Sequence, residues 1–558
     1  MRFQCHDRQG RLRLQAAGRR AKAAHTREAR TISATRKREL QSMSSDVNAL
    51  EGQVASAMQQ QRWDDALDAL RQLIEIDPDR LNYTARFAHL LDGLGHTQHA
   101  VDIYRRFLDR NPDAATAHFN VAGLYKKLQQ DDLALAALDE AIRLRIDRVE
   151  EVYLNKGVLY AETHRPEKAR ACYEKALSLA PDYVSALFNL AGLLEEEGDR
   201  QRAVDIYNRI LEIQPDYCEA LSRLAYAEKM STDHAELVER LEKAVADTKS
   251  DAYAQQTLNF ALGKARDDLQ QYDEAAAAYT AANKAARMTA VPYDRAQTEQ
   301  AFDQLIEIYD PEWIASTSTG SDAEPIFICG MYRSGSTLLE HRLAGHPAIV
   351  AGGELDVLPW MIGRNFAPYP QGVRAASAER LREMAAYYQS RVQSFFPGEH
   401  RVTDKRPTNF MDLGLIKVLF PKAKIIHTTR HIADNCLSVF FQQMGPGFGY
   451  ATDLGDAAHY YRQQERLKAH WQACFGDDLH TVRYEELIAD PEAVLRGVLN
   501  YLALDWDDGV LEPEQDGTRV RTASIWQVRQ PLHSGSQGRW ANYRSLVEAV
   551  PELADATR

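Results

Sequence analysis

The chain has no run of 18 or more uninterrupted apolar residues, so no membrane-spanning helix is expected. Its N-terminus has no apolar core of the kind that a secretory signal needs. Cysteine is sparse: six in 558 residues, at Cys5, Cys172, Cys218, Cys329, Cys436 and Cys474. No two form a CxxC pair, which removes the spacing of a zinc site, and nothing suggests a disulfide framework. A reducing compartment and a cytoplasmic location are therefore expected. Basic charge is not in surplus. The formal net charge of −13 argues against a nucleic-acid binder, whose domains carry a basic footprint. The 45% apolar and 26% charged residues are ordinary for globular protein, and the length implies several domains.

Residues 1–45 stand apart. Met1 to Lys37 is rich in arginine and poor in acids. The segment reads as a basic disordered arm or as an over-extended start with Met43 as the first residue. A transit peptide is the alternative.

A repeat fills residues 46–292. Pro78, Pro112, Pro181 and Pro215 end IDPD, RNPD, LAPD and IQPD segments, with spacings of 34, 69 and 34. The long gap holds one more unit, ending at Ile146-Asp147. Twelve residues before each terminator stands an alanine: Ala66, Ala100, Ala134, Ala169 and Ala203. Four residues further on stands a large apolar side chain: Leu70, Tyr104, Leu138, Tyr173 and Tyr207. Small residues let paired helices approach, and the larger ones fill the gap between pairs. This pattern resembles the tetratricopeptide repeat family, with six or seven units over residues 46 to 288. The resemblance implies an all-α solenoid with a concave groove that takes a polypeptide. The alternative is that the array is a scaffold or a homodimerisation surface.

Residues 293–324 are expected to be a linker, because Pro311 to Pro325 is rich in Ser, Thr and Gly. The pattern then changes. Ile326 to Cys329 has buried-strand length, Gly330 to Gly335 is a loop, and Thr337 to Ala344 has helical spacing. Strand, glycine loop and helix together aim backbone N–H groups at an anion. The loop GMYRSGST has the GxxxxG spacing of a nucleotide loop. Ser336, however, stands where the Walker lysine belongs, which weakens a kinase or ATPase reading. Arg333, Ser334, Ser336 and Thr337, with Gly335 between them, offer a guanidinium and three hydroxyls to a phosphate. A second strand, in KAKIIHTTRHIADNCLSVF, ends at Arg430, with Ser438 eight residues later on a helix.

These blocks resemble the sulfotransferase family, and most of all its tyrosylprotein branch. The resemblance implies an α/β P-loop-like domain with a parallel sheet over residues 325–545, followed by a tail, 546–558. It implies 3′-phosphoadenosine 5′-phosphosulfate as co-substrate and no metal. It assigns Arg333, Ser334, Gly335, Ser336, Thr337, Arg430, Ser438, Tyr484, Ser524 and Arg539 to nucleotide binding. It assigns catalysis to Glu354 as base, with Arg333 and Lys405 stabilising charge. Asp404 and Arg406 depart from the family's Asn-Lys-Asp-Pro segment. His427 and His431 are rival bases, Glu354 could instead cap a helix, and Tyr484 could simply pack. The implied activity is sulfuryl transfer to a hydroxyl, with a tyrosine of a peptide or protein preferred. The alternatives are a small molecule or glycan acceptor, or an inactive adaptor. No nucleic-acid or membrane partner is expected.

Overall fold

The structure, a computed structural model, describes residues 46–398, 400–512, 526, 529 and 534–554. The expected basic arm and Ser524 lie outside the described residues. The chain divides between Leu159 and Tyr160 into two compact units.

The first unit consists of antiparallel helix pairs: 46–59 with Trp63–Ile76, Leu81–Gly93 with Thr97–Arg110, and Ala115–Lys127 with Asp131–Arg143. The second unit opens with the same architecture. Val184–Glu197 pairs with Arg200–Ile213, and Ala252–Asp268 with Tyr272–Ala286. The alanines picked out by the repeat are fully buried, and the large apolar residue one turn later is buried in every unit. Stacking is what hides these faces, because one pair has no second layer of its own. The turn inside each pair reuses one conformation. Gln61, Gly95, Gln129, His164, Gly198 and Gln270 all have φ between 53° and 91°. Glycine meets this demand without strain in two repeats, and longer side chains tolerate it in the others.

The rest of the second unit is built on a five-stranded parallel sheet. The strands are β1 (Ile326–Gly330), β2 (Ile349–Ala351), β3 (Arg401–Asp404), β4 (Lys424–Thr429) and β5 (Leu479–Arg483), in the order β2-β3-β1-β4-β5. β1 is buried along its whole length, as a central parallel strand covered on both faces must be. Its alternate residues enter different cores. Phe327 and Cys329 pack with Ile425 and Leu479, while Ile326 and Ile328 pack with Ile426 and Val482. β3 lies on one side of β1 and β4 on the other. The carboxyl end of β1 is therefore where connections diverge and a crevice opens. The fold is thus an all-α repeat region followed by a parallel-sheet domain, the fold class that the sequence implied.

Two segments differ from their sequence reading. Residues 293–324 hold the helices Arg295–Ile308 and Pro311–Thr317. Asp294 caps the first through the Gln297 N–H, and Asp310 caps the second through the Trp313 N–H, with Pro311 at the first helical position. Phe302, Leu305, Tyr309 and Ile314 enter the same core as Phe327 and Trp471. The Ser/Thr-rich composition of Pro311 to Pro325 misleads because only 318–325 of that stretch is without helix or strand. Phe302→Ala should therefore destabilise the protein by about 3–5 kcal/mol, as loss of a buried ring does. Chemical denaturation measures this, and a linker residue would give almost no change. In the expected tail, Val547 and Leu553 are buried against Phe440 and Leu454. Helix Tyr272–Ala286 also belongs to that core, through Tyr279 and Ala282.

Candidate active site

The loop after β1 is shaped by backbone conformations that few residues accept. Gly330 has φ 141°, and a side chain there would overlap the Thr428 carbonyl. Gly335 has φ 100° and starts the helix Ser336–Leu343. A Cβ at that position would stand 2.7 Å from the Tyr484 ring. Between them Arg333 has φ 69°, an unusual value for a residue with a side chain. Such strain, of order ~1–3 kcal/mol, persists where surrounding contacts fix it. Those contacts are visible. The Ser334 hydroxyl donates to the Met331 carbonyl at 2.6 Å and meets the Thr428 hydroxyl at 2.7 Å. Ser334 is thus turned into the fold, whereas Thr337 is only half-buried. Ser336 is buried at the helix start.

Arg333 and Arg430 come together. Arg430 follows β4 and donates from Nη1 to the Arg333 carbonyl at 3.3 Å and from Nη2 to the Ser536 carbonyl. Its guanidinium lies 4.7 Å from the centre of the Tyr484 ring. Arg333 Nε in turn donates to Ser438 Oγ at 3.1 Å, so Ser438 joins the cluster through Arg333. Burial, then the positive fields of Arg430 and Arg539, lower the Arg333 pKa to about 10. Arg430 Nε is buried without a hydrogen-bond partner among the described residues. Crowded guanidiniums with an unmade buried donor fit a multiply charged anion.

Glu354 and Lys405 form a second centre, at the ends of β2 and β3. Lys405 is fully buried, and its Nζ donates to Glu354 Oε1 at 2.8 Å, while Glu354 keeps 30% of its side chain exposed. Glu340 braces both. Its Oε1 accepts from the Gly353 N–H at 3.0 Å and the Thr403 hydroxyl at 2.6 Å. Burial raises the Glu340 pKa, and the Lys405 charge opposes the rise. Sequence reasoning missed Glu340. A single acid on a helix that also carries Ser336, Thr337, His341 and Arg342 gave no signal for it. The rival histidines are placed differently. His427 lies buried within β4 beside Gln464 Nε2, 2.8 Å away, and burial pushes its pKa down to about 3. His431 stacks on Trp540, with ring centroids 6.4 Å apart.

Asp404 precedes Lys405 and accepts from the Tyr388 hydroxyl at 2.9 Å and Asn409 Nδ2 at 3.0 Å. Complete burial pushes its pKa up to about 7, against those two hydrogen bonds. The folded state therefore holds this proton more tightly than the unfolded chain, whose aspartate titrates near ~3.9. The resulting stability is present below that value and is lost as pH rises from about 4 to about 7. Asp404→Asn should flatten that decline, by up to ~1.4 kcal/mol per pH unit. Urea midpoints between pH 4.5 and 7.5 check it; parallel curves for the two proteins would show that Asp404 is ionised throughout.

Arg539 and Tyr484 complete the account of the expected residues. Tyr484 carries Arg430 on its face, and Arg539 Nη2 donates to Asp267 Oδ2 at 2.6 Å. Among the described residues, no group of three or more His, Cys, Asp or Glu could hold a metal ion. No helix among them is long and apolar enough to cross a membrane. In the first unit, a cavity of ≈ 320 Å³ opens among Ala88, His89, Asp92, Tyr104 and Asn120.

Residues 325–508 match the model of the sulfotransferase family, which places the loop, Glu354, Lys405, Arg430 and Tyr484 inside the matched region. The C-terminal part of the chain is a sulfotransferase-family domain. Residues 52–80, 86–148 and 148–216 match tetratricopeptide repeat models. An uncharacterized protein of Aquifex aeolicus is 27% identical over 72% of this chain and 54% of its own length. The chain thus spans about half of that relative. Protein-tyrosine sulfotransferase 1 of Danio rerio is 26% identical over 42% of this chain and 72% of its own length. The Drosophila melanogaster protein-tyrosine sulfotransferase is 24% identical over 41% and 50%. The sulfotransferase domain from the Synechococcus PCC 7002 olefin synthase aligns with a TM-score of 0.33 at 23% identity, covering 42% of this chain and 94% of that domain. The sulfotransferase-family domain is thus related at low identity to tyrosine sulfotransferases.

Proposed function

We propose that the protein transfers a sulfuryl group from 3′-phosphoadenosine 5′-phosphosulfate to a hydroxyl, with a tyrosine of a peptide or protein as the acceptor. One observation carries the reading. The carboxyl ends of β1, β2, β3 and β4 bring an arginine cluster and a Glu354–Lys405 pair to one end of the sheet. The cluster is suited to the phosphates, with Arg430, Arg333 and Ser438 as contacts and the backbone of Gly335 to Thr337 as a cradle. Ser334 holds the loop from within. Lys405 is suited to charge on the leaving phosphate, and Glu354 to the acceptor proton.

In the transfer, the acceptor oxygen bonds to sulfur as the bond from sulfur to the bridging phosphate oxygen breaks. The proton leaves the acceptor for Glu354, and the negative charge appears on the phosphate, where guanidinium and ammonium groups stabilise it. Holding both oxygens in line is the larger part of the task. The depressed pKa and complete burial of His427, whose Nε2 lies beside Gln464 Nε2, disfavour it as base. The array supplies the polypeptide preference, and its cavity at His89 and Asn120 offers polar groups to an extended chain.

Incubating the full chain with sulfur-labelled donor and cell extract tests this. Label should enter protein and be recovered as sulfotyrosine after hydrolysis. Label in glycan or small molecules alone would move the acceptor class. An absence of both transfer and binding of 3′,5′-adenosine bisphosphate would sink the enzyme.

A further inference from the structure

Asp267 lies at the end of helix Ala252–Asp268, in the last repeat of the array, yet both of its carboxylate oxygens serve the C-terminal strap that carries Arg539. Oδ2 accepts from Arg539 Nη2 at 2.6 Å, and Oδ1 accepts from the Tyr543 hydroxyl. The strap is also tied to the strand ends. The Ser536 carbonyl accepts from Arg430, Gln537 Nε2 donates to the Glu485 carbonyl at 3.1 Å, and Asp434 accepts the Gly538 and Trp540 N–H groups at 2.7 and 2.9 Å. The Arg539 guanidinium sits 5.2 Å over the Phe441 ring, just beyond the helix that carries Ser438. Phe441 itself stacks at 3.9 Å on Tyr279 of the last repeat. Asn283 of the same repeat donates to the Phe440 carbonyl at 2.7 Å.

Arg539 is therefore the third guanidinium near Arg333 and Arg430, and like charges repel it from that place. The carboxylate of Asp267 is what opposes the repulsion, through a charge-assisted hydrogen bond at a largely buried position. The neighbourhood is consistent with this: the positive field of Arg539 reaches Arg333, and the Asp267 charge acts on Arg539. Tyr226, also from the array, lies within the field of Arg333.

We propose that Asp267 is a positioning residue for the donor-nucleotide site, so that the final tetratricopeptide repeat is a working part of the transferase. The inference rests on the sulfotransferase reading, in which Arg539 contacts the nucleotide. Its consequence is coupling: nucleotide bound to Arg539 and the junction of repeat and transferase stabilise one another.

Calorimetric titration of the full chain with 3′,5′-adenosine bisphosphate tests it. Asp267→Asn should weaken binding by ~10-fold or more, and Asp267→Glu should restore most of the loss. Adding Asp267→Asn to Arg539→Gln should cost nothing further, because both act through one guanidinium. Tyr543→Phe removes the other partner of Asp267 and should lower stability while leaving affinity near wild type. Unchanged or tighter binding in Asp267→Asn, with Arg539→Gln weakened, overturns the positioning role and leaves the enzyme reading standing. So does an equal loss in Tyr543→Phe and Asp267→Asn, which marks a merely structural contact. Should Asp267→Asn not fold, Asp267→Ser, which also removes the charge held against Arg539, is compared with Tyr543→Phe in its place. If the wild-type chain does not bind the bisphosphate, the function on which the inference rests falls first.

Discussion

Glu354→Gln is expected to reduce turnover by about 10²–10⁴-fold, the range over which a positioned general base contributes. The reasoning starts from the acceptor. A phenol has a pKa of about 10, far above that of a carboxylic acid, so a carboxylate cannot remove its proton before the bond to sulfur forms. Proton transfer must follow bond formation, and the base must already stand in place. Lys405 fixes Glu354 by one oxygen at 2.8 Å, and the Glu340 bond to the Gly353 N–H fixes the backbone beside it. Glutamine keeps an oxygen for Lys405, so the fold should survive, but it cannot take the proton. The measurement is steady-state kinetics beside nucleotide titration. kcat and kcat/KM should fall together, with affinity for 3′,5′-adenosine bisphosphate changed by less than about twofold, which is the signature of an interaction made in the transition state. Turnover near wild type would remove Glu354 as base and reopen the question of which group takes the proton.

What could be read from the sequence was local, and what could not was remote. The repeat was legible because each unit states itself within 34 residues, and Ala134 or Tyr207 needs only its own helix pair to reveal its face. The loop was legible because strand, glycine pair and helix are consecutive. Arg430 was legible because it closes a strand, and parallel sheets gather ligands there. Glu340 was not, because its partners Gly353 and Thr403 lie 13 and 63 residues away and a single acid on a helix reads as surface. Asp267 and Arg539 are 272 residues apart, so no spacing could join them. The helices at 295–317 were hidden by composition: Ser and Thr mark loops on average, but Asp294 and Asp310 turn those residues into capped helices. The inward turn of the Ser334 hydroxyl was hidden too, since its partner Thr428 belongs to another strand.

Arg430→Ala should weaken binding of 3′,5′-adenosine bisphosphate by roughly 10- to 100-fold, because hydrogen bonds to charged groups are worth about 1.5–3 kcal/mol and each 1.4 kcal/mol is tenfold. The loss has two sources, and kinetics can separate them. One is the missing contact, including the Nε donor that is buried without a partner among the described residues. The other is geometry, since Arg430 holds the Arg333 carbonyl at 3.3 Å and the Ser536 carbonyl and lies on Tyr484, which itself packs against Gly335. Arg430→Lys keeps the charge and loses the planar fork that reaches two carbonyls at once. If the charge alone matters, lysine recovers most of the affinity. If the fork matters, lysine stays close to alanine, and turnover at saturating donor also falls because Arg333 is no longer fixed at its strained φ. The second pattern is the one expected, because both terminal nitrogens serve backbone carbonyls and lysine has no counterpart to the buried Nε donor. Binding by Arg430→Ala as tight as wild type would place the phosphates elsewhere and detach the arginine cluster from the donor site.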